Sequence, residues 1–429
     1  MSSLYNKESN FKKGGEDMLD QFFKNPKIIQ KMYEGPTGPY INNYVKLLHE
    51  GGYSQQSSRY QLRLIASFSS WLQQQEIEIK NINNEIIEKF LEYRRQFVKI
   101  RSDDKFVLKR LLNMLHEMGI TDNKVPEALK TDYQKVEDDF KHYLLHERGL
   151  TLATVKNYLP IVHKFISERF DSGPIQFVEL SASDITNYVK RHACNLNNKC
   201  AKLMVTAIRV FLRYLLHRRE INTDLSTCVP TVACWKLSTL PKYLQPEQVQ
   251  TILRHCNRQS PLGKRNYAIL LLLARLGLRA CEVIALKLDD IEWETGHITI
   301  CGKGGKTTRF PLPQDVGDSI ADYLINGRPS CLTRHVFVCH HAPITKFSHS
   351  STISSIVKRA IEYSGINSPL KGAHLFRHTL ATQMLREGAS LAEVGDILRH
   401  KNPNTTLIYA KLDITALKTL VQPWPGGDI

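Results

Sequence analysis

A helical pattern written twice constrains this chain more than any other feature. Leu47-Leu48-His49-Glu50 runs into Gly52, Tyr53 and Ser54, and 97 residues later Leu144-Leu145-His146-Glu147 runs into Gly149, Leu150 and Thr151. At the same offset Ile65 and Phe68 fall on Val162 and Phe165. Each copy continues through a short polar segment, a second amphipathic stretch (Ile86 to Tyr93; Ile185 to Val189) and a closing helix that ends in Leu111 to Leu115 or Phe211 to Leu216. Apolar residues at spacings of three and four predict helices that each bury one face. Each copy reads as a bundle of about four helices, and two copies alone indicate domain duplication, not a solenoid.

With 429 residues the chain has room for two or three domains of roughly 100–200 residues each. Hydrophobic residues at 42% and charged residues at 23% exclude global disorder and a fibrous repeat. Thr223 to Pro246 reads as a linker, with three prolines and no sustained periodicity. Beyond it helices are expected at Pro246–Cys256 and Tyr267–Arg275, the second broken at Gly277. A strand, turn and strand follow at His297–Cys301, Gly302–Gly305 and Lys306–Pro311, then helices near 314–325, 351–363, 375–387, 390–399 and 403–412.

The formal charge of +16 favours a polyanionic partner such as nucleic acid. Half of the excess lies in 241–429, with 23 basic against 15 acidic residues, and no segment is a polybasic tail. The charge is therefore organised on folded surfaces. Between Lys190 and Arg219 there are eight basic residues and no acidic one. Lys199, Lys202, Arg209 and Arg213 share one face of the closing helix, opposite Ala207, Ile208, Phe211, Leu212 and Leu215. A one-signed stripe without compensating acids fits phosphate contacts better than a merely solvated face.

No apolar run approaches a membrane span, the densest being Ala268 to Ala274. Met1 to Asp20 is polar and lysine-bearing, so no secretory signal is expected. The nine cysteines form no CxxC. Cys331, His335, Cys339, His340 and His341 crowd together at a spacing that fits no usual zinc frame, so the expectation is reduced thiols, a cytoplasmic protein and no metal site.

Five pieces of the last third carry possible chemistry. Gly277-Leu278-Arg279-Ala280-Cys281-Glu282 puts an arginine at a helix start, with an acid three residues on; a structural ion pair would explain that spacing equally well. Gly302-Lys303-Gly304-Gly305-Lys306 sets a lysine in a glycine-rich turn but lacks the GxxxxGK[ST] of a Walker loop. His374-Leu375-Phe376-Arg377 projects an imidazole and a guanidinium from one helical face. Ser390-Leu391-Ala392-Glu393 is a capping box opening a helix that ends at Arg399-His400. Asn402-Pro403 then opens a last helix containing Thr405, Thr406 and Tyr409. Arginines hold phosphate bidentately, a tyrosine serves as a covalent nucleophile, and lysine and histidine move protons, so the set fits phosphoryl transfer.

The order GLRxxE, GKGxK, HxxRH, then LxH with a tyrosine nine residues further on, resembles the catalytic domain of the tyrosine recombinase (phage integrase) family over roughly residues 239–420. The second helical repeat resembles the family's SAM-like core-binding domain. The resemblance implies a mainly α (α+β) fold: SAM-like helical DNA-binding domains, then a mostly helical catalytic domain with a small antiparallel sheet. The expected organisation is a polar segment 1–35, the first repeat 36–125, a core-binding domain 131–221, a linker 222–238, the catalytic domain 239–422 and a tail 423–429.

By position the resemblance implies that Arg279 and Arg377 clamp a scissile phosphate in duplex DNA. Lys303 would protonate the leaving 5′-hydroxyl, His374 and His400 would bond the phosphate and assist proton transfer, and Tyr409 would form a 3′-phosphotyrosyl link. Energy is held in that link, so no cofactor is implied. Arg399 stands where the family commonly has glycine, and Lys411 where a histidine often follows the nucleophile. The first repeat is either a duplicated core-binding module or an arm-type DNA-binding domain, and the extra length points to a mobile-element integrase. A homotetramer on two DNA sites is expected, with the apolar stripe Ile414, Leu417, Leu420 and Val421 packing into a neighbour. A type IB topoisomerase-like enzyme, a non-catalytic DNA-binding protein on the same scaffold and a helical interaction module remain alternatives at this stage.

Overall fold

The computed structural model describes residues 19–121, 131–171, 173–233, 240–302, 307–400 and 402–412. The chain divides into two compact units, Asn123–Ser238 and Met1–Asp122 together with Thr239–Ile429.

The first repeat folds as α1 (Pro26–Tyr33), α2 (Ile41–Glu50), α3 (Gln55–Gln74), α4 (Asn84–Arg95) and α5 (Asp104–Glu117). Short polar side chains set the helix starts: Asn25, Ser54 and Asn83 accept from the backbone amides of Lys27, Ser57 and Ile86. The core gathers Leu48, Ile65, Phe68, Leu72, Phe90, Leu108 and Leu115.

The second repeat supplies α6 (Asp132–His142), a single π turn over Tyr143–Glu147, α7 (Leu152–Phe170), α8 (Ala182–Ala193) and α9 (Asn198–His217). The internal repeat is structural as well as sequential. Helices α3 and α7 begin at Gln55 and Leu152, 97 residues apart. Gly52 and Gly149, at the same offset, both take positive φ (67° and 58°). Ile65, Phe68, Val162 and Phe165 are all buried. The chain does not leave this second bundle at 222, where a linker is expected. Leu225 and Val229 are buried in its core, because a short 3-10 turn over Leu225–Cys228 folds back onto α9.

The last third contains α10 (Pro246–Arg254), α11 (Pro261–Leu276), α12 (Ala280–Ala285), a three-stranded antiparallel sheet, α13 (Gln314–Asn326), α14 (Ser351–Tyr363), α15 (Ala373–Arg386) and α16 (Leu391–Ile397). The strands are β1 (Ile291–Glu292), β2 (His297–Cys301) and β3 (Thr307–Pro311), in the order β1-β2-β3, with Ile298 opposite Phe310. Helix α11 starts earlier than periodicity indicates, because Ser260 caps it and Pro261 occupies its first turn. It runs through the centre of the core: Ala268 to Leu273 are all buried, each leucine contributing roughly 1.5–3 kcal/mol over an exposed position.

The segment Pro403–Leu412 is a 3-10 run where an α-helix is expected. Asn402 accepts from Asn404 N through its side chain and from Thr405 N through its carbonyl, closing the start as tight i→i+3 turns. Thr405, Thr406 and Ile408, all β-branched, add little α preference.

Within the unit that joins the first bundle to the last third, Ile344 N donates to Gly51 O at 2.8 Å. A Cβ on Gly52 would lie 2.5 Å from Ile344 Cδ1, so both its φ and this approach require glycine. Among the described residues no helix is long and apolar enough to cross a membrane.

Candidate active site

The site is assembled where α12, α15 and the segment 398–409 meet. Helix α11 ends at Gly277 in the left-handed conformation (φ 56°), which turns the chain so that Arg279 becomes the N-cap of α12. Arg279 and Glu282 form the ion pair that their spacing permits: Nη1 donates to Oε1 and the Arg279 backbone amide to Oε2, each at 2.8 Å. The Arg279 side chain is 28% exposed, and Nη2 reaches the carbonyl of Arg399 at 3.5 Å.

Arg377 comes from the first turns of α15 and is buried. Its Nη1 donates to Gly277 O at 2.6 Å and its Nη2 to Leu398 O. One guanidinium thus fixes the end of α11 and the turn after α16, so the two arginines share a single backbone frame. Burial, with Arg279 and Arg399 beside it, pulls the Arg377 pKa down to about 10, still cationic at neutral pH.

His374, one turn before Arg377, stands at the exposed edge of the site. Desolvation, Arg377 and Arg279 hold its pKa below the usual imidazole value. His400 Nδ1 lies 2.8 Å from Thr406 Oγ1. Burial, then Arg377 and Arg279, lower its pKa to about 4, so this imidazole is neutral at physiological pH.

Tyr409 is almost fully buried, packed with Ala381, Leu385, Val394 and Leu398. Its hydroxyl is 2.8 Å from His378 Nδ1, and burial raises its pKa to about 12. In this conformation the tyrosine is a core residue with its oxygen turned towards an imidazole. Lys303 lies outside the described residues, as do Ile414, Leu417, Leu420 and Val421.

Three residues of this cluster carry no role in the sequence reading. His378 is i+4 from His374, so the spacing HxxRH already puts it on the same face. Glu282 serves two cations, because Arg399 Nη2 also donates to its Oε2 at 2.8 Å. Arg399 itself takes φ 55°, which explains why glycine suits that position, and an L-residue there costs roughly 1–2 kcal/mol.

The basic stripe on α9 divides in two. Lys199 and Lys202 are exposed. Arg209 is half-buried, and its Nη2 donates to Val229 O at 2.8 Å and to Thr231 Oγ1 at 3.1 Å. Arg213 Nε donates to Ser226 Oγ at 3.3 Å. Both arginines therefore tie the returning segment to the helix, work that helical spacing alone does not reveal. The crowd at 331–341 does not converge. His335 Nδ1 pairs with Thr333 Oγ1 and His340 faces the Tyr323 hydroxyl, and among the described residues no three metal-ligating side chains come together.

Comparison with known proteins matches residues 242–415 to the phage integrase family and residues 138–219 to the phage integrase N-terminal SAM-like domain. The integrase/recombinase-type protein y4rA of Sinorhizobium fredii is 43% identical over 92% of this chain and 96% of its own length. The tyrosine recombinase XerD of Listeria innocua is 31% identical over 66% of this chain and 95% of its own. A crystal structure of the XerH site-specific recombinase, bound to palindromic difH substrate in a post-cleavage complex, shares the fold, with a TM-score of 0.54 at 20% identity over 78% of this chain and 93% of that one. The chain belongs to the phage integrase family of tyrosine recombinases, enzymes that break and rejoin DNA.

Proposed function

We propose that this protein is a site-specific recombinase of a mobile element that cuts and rejoins duplex DNA through a 3′-phosphotyrosyl link at Tyr409. The observation that carries the reading is the convergence of two frame-locked arginines, three imidazoles and a tyrosine at one place in the fold. Arg279 and Arg377 hold the non-bridging oxygens of the scissile phosphate and offset the charge that builds as phosphorus becomes five-coordinate. The Tyr409 oxygen attacks phosphorus, the bond to the 5′-oxygen breaks, and Lys303 protonates that leaving oxygen. With a pKa of about 12 the phenol needs a base, and His378 is already within hydrogen-bond reach of its hydroxyl. His374 and His400, both held neutral, donate to the phosphate without adding charge. The tyrosyl ester stores the phosphodiester energy, so rejoining is the same step run backwards, with no cofactor.

Duplex DNA is the substrate, held by the α9 lysines and by the SAM-like bundle 131–221. The catalytic part spans 239–422, and the first bundle is an additional DNA-binding module. Strand exchange takes place in a homotetramer on two sites, with 413–421 of one protomer packed into the next. A nicked suicide substrate tests the chemistry: the wild type becomes covalently attached to DNA and Tyr409→Phe does not, while binding to the site is nearly unchanged. Equal trapping of the two proteins refutes Tyr409 as the nucleophile.

A further inference from the structure

Arg399 is a charged residue where the backbone favours glycine, with φ 55° immediately before His400. Its side chain is only 10% exposed. The guanidinium lies over the ring of Phe310 on β3 at 4.9 Å, and Nη2 donates to Glu282 Oε2 at 2.8 Å. Nε and Nη1 are buried with no hydrogen-bond partner among the described residues. A strained backbone and two unpaired buried donors are poor terms for packing alone, since a glycine or an apolar side chain would avoid both.

Charge supplies the reason. Glu282 is buried and accepts from the Arg279 side chain and backbone amide. With Arg279 as its only cation, that carboxylate would cancel one of the two positive charges meant for the phosphate. Arg399 changes the balance: three guanidiniums face one carboxylate, leaving two positive charges in the cluster.

We propose that Arg399 is a positioning residue, the counter-ion of Glu282 that leaves the charge of Arg279 free for the DNA phosphate. The inference rests on the phosphate-binding role given to Arg279 above. The Phe310 ring keeps the guanidinium turned towards Glu282, and so links β3 to the arginine frame.

The test uses the full chain and two readouts: affinity for inorganic tungstate by calorimetry, and single-turnover cleavage of a nicked site. Arg399→Gly relieves the backbone strain and is expected to fold, which the urea midpoint checks. Loss of one charge-assisted contact in the network predicts tungstate binding and cleavage weakened about tenfold or more. Glu282→Gln keeps the helix cap but removes the carboxylate charge, so Glu282→Gln combined with Arg399→Gly should recover most of both. A packing role predicts no such recovery. Arg399→Lys retaining affinity while Arg399→Met loses it gives the same answer should the glycine variant fail to fold. Equal tungstate affinity in wild type and Arg399→Gly, or a double variant no tighter than Arg399→Gly, overturns the proposal. Wild-type protein that binds tungstate in this pattern but never cleaves DNA would instead overturn the recombinase reading and leave the role of Arg399 standing.

Discussion

Gly277→Ala is expected to damage the arginine frame in a way that is calculable from local geometry. Gly277 sits at φ 56°, and its carbonyl accepts from Arg377 Nη1 at 2.6 Å. A Cβ there would lie 2.9 Å from Leu398 Cδ2 and 3.0 Å from Leu380 Cδ2. The left-handed backbone costs an L-residue roughly 1–2 kcal/mol. The unfolded chain loses entropy on gaining a Cβ, which returns about 0.4–1 kcal/mol to the variant. Forcing two packed leucines aside adds about 1–3 kcal/mol, for a net loss of around 2–3 kcal/mol. For a domain of this size that is a fall in melting temperature of roughly 4–12 °C. Gly296 is the control: its φ is 64°, but a Cβ there meets nothing within 4 Å, so Gly296→Ala suffers only the backbone term. Thermal melts of the two variants isolate the packing term. Because Leu398 O is the other acceptor of Arg377, displacing Leu398 should also slow cleavage of a nicked site in Gly277→Ala and not in Gly296→Ala. Equal melting temperatures and equal cleavage rates in the two variants would refute the claim that Gly277 holds the frame by close approach.

Lys199→Ala with Lys202→Ala should flatten the log–log salt dependence of duplex binding by about 0.9 per lysine, read by titrations at several salt concentrations. Arg209→Ala should instead lower the urea midpoint of the second bundle by releasing Val229 and Thr231; a normal midpoint with a reduced slope would reverse that assignment. His400, held at about 4, cannot take up the proton that an unfolded imidazole accepts near 6.5, so its stabilising contribution is complete above about 6.5 and is lost as pH falls towards 4. Urea titrations at pH 7 and pH 5 should show a larger loss in the wild type than in His400→Asn, and equal losses would count against it. Cleavage should proceed in EDTA, since guanidinium and ammonium groups carry the charge that a metal ion would otherwise offset. Deleting 413–429 should spare site binding and abolish recombination between two sites, and a truncated chain recombining at full rate would exclude exchange of that segment.

How much of this was legible in the sequence differs from element to element for physical reasons. Strand β2 and helix α14 fall on their expected limits, because alternation and a one-sided apolar stripe are local signals. The repeat is legible because both copies bury the same positions and turn on glycines at the same offset. The return of 222–233 onto α9 is not, since Leu225 and Val229 are isolated apolar residues in a proline-bearing stretch, and only the partner surface gives them meaning. The site shows the same divide. Ordered motifs point to Arg279, His374, Arg377, His400 and Tyr409, and the fold brings these together. Nothing in the spacing says that Arg209 is tied to a carbonyl, that Glu282 serves two arginines, or that the tyrosine faces His378. Those are long-range pairings, 20, 117 and 31 residues apart in sequence.

On the proposed chemistry, the same pairings would hold the nucleophile back in the free protein. Tyr409 gains burial against Ala381, Leu385, Val394 and Leu398 together with a hydrogen bond to His378, and both would be given up on turning towards DNA. Burying a large aromatic side chain is worth roughly 1.5–3 kcal/mol, and a typical hydrogen bond adds about 1 kcal/mol. An outward tyrosine would then be the minor state by a factor on the order of a hundred in the free protein. Only contacts that the outward state alone makes can shift that balance. A phosphate seated between Arg279 and Arg377 would be one such contact, and a docked neighbour another. Thr406, in the 3-10 run that opens at Asn402, lies beside His400, and the Arg399 carbonyl lies beside Arg279, so the run that carries Tyr409 borders the arginine frame. On the proposed chemistry, phosphate binding and tyrosine release would be coupled through Leu398, whose carbonyl accepts from Arg377 and which shares a hydrophobic cluster with Tyr409.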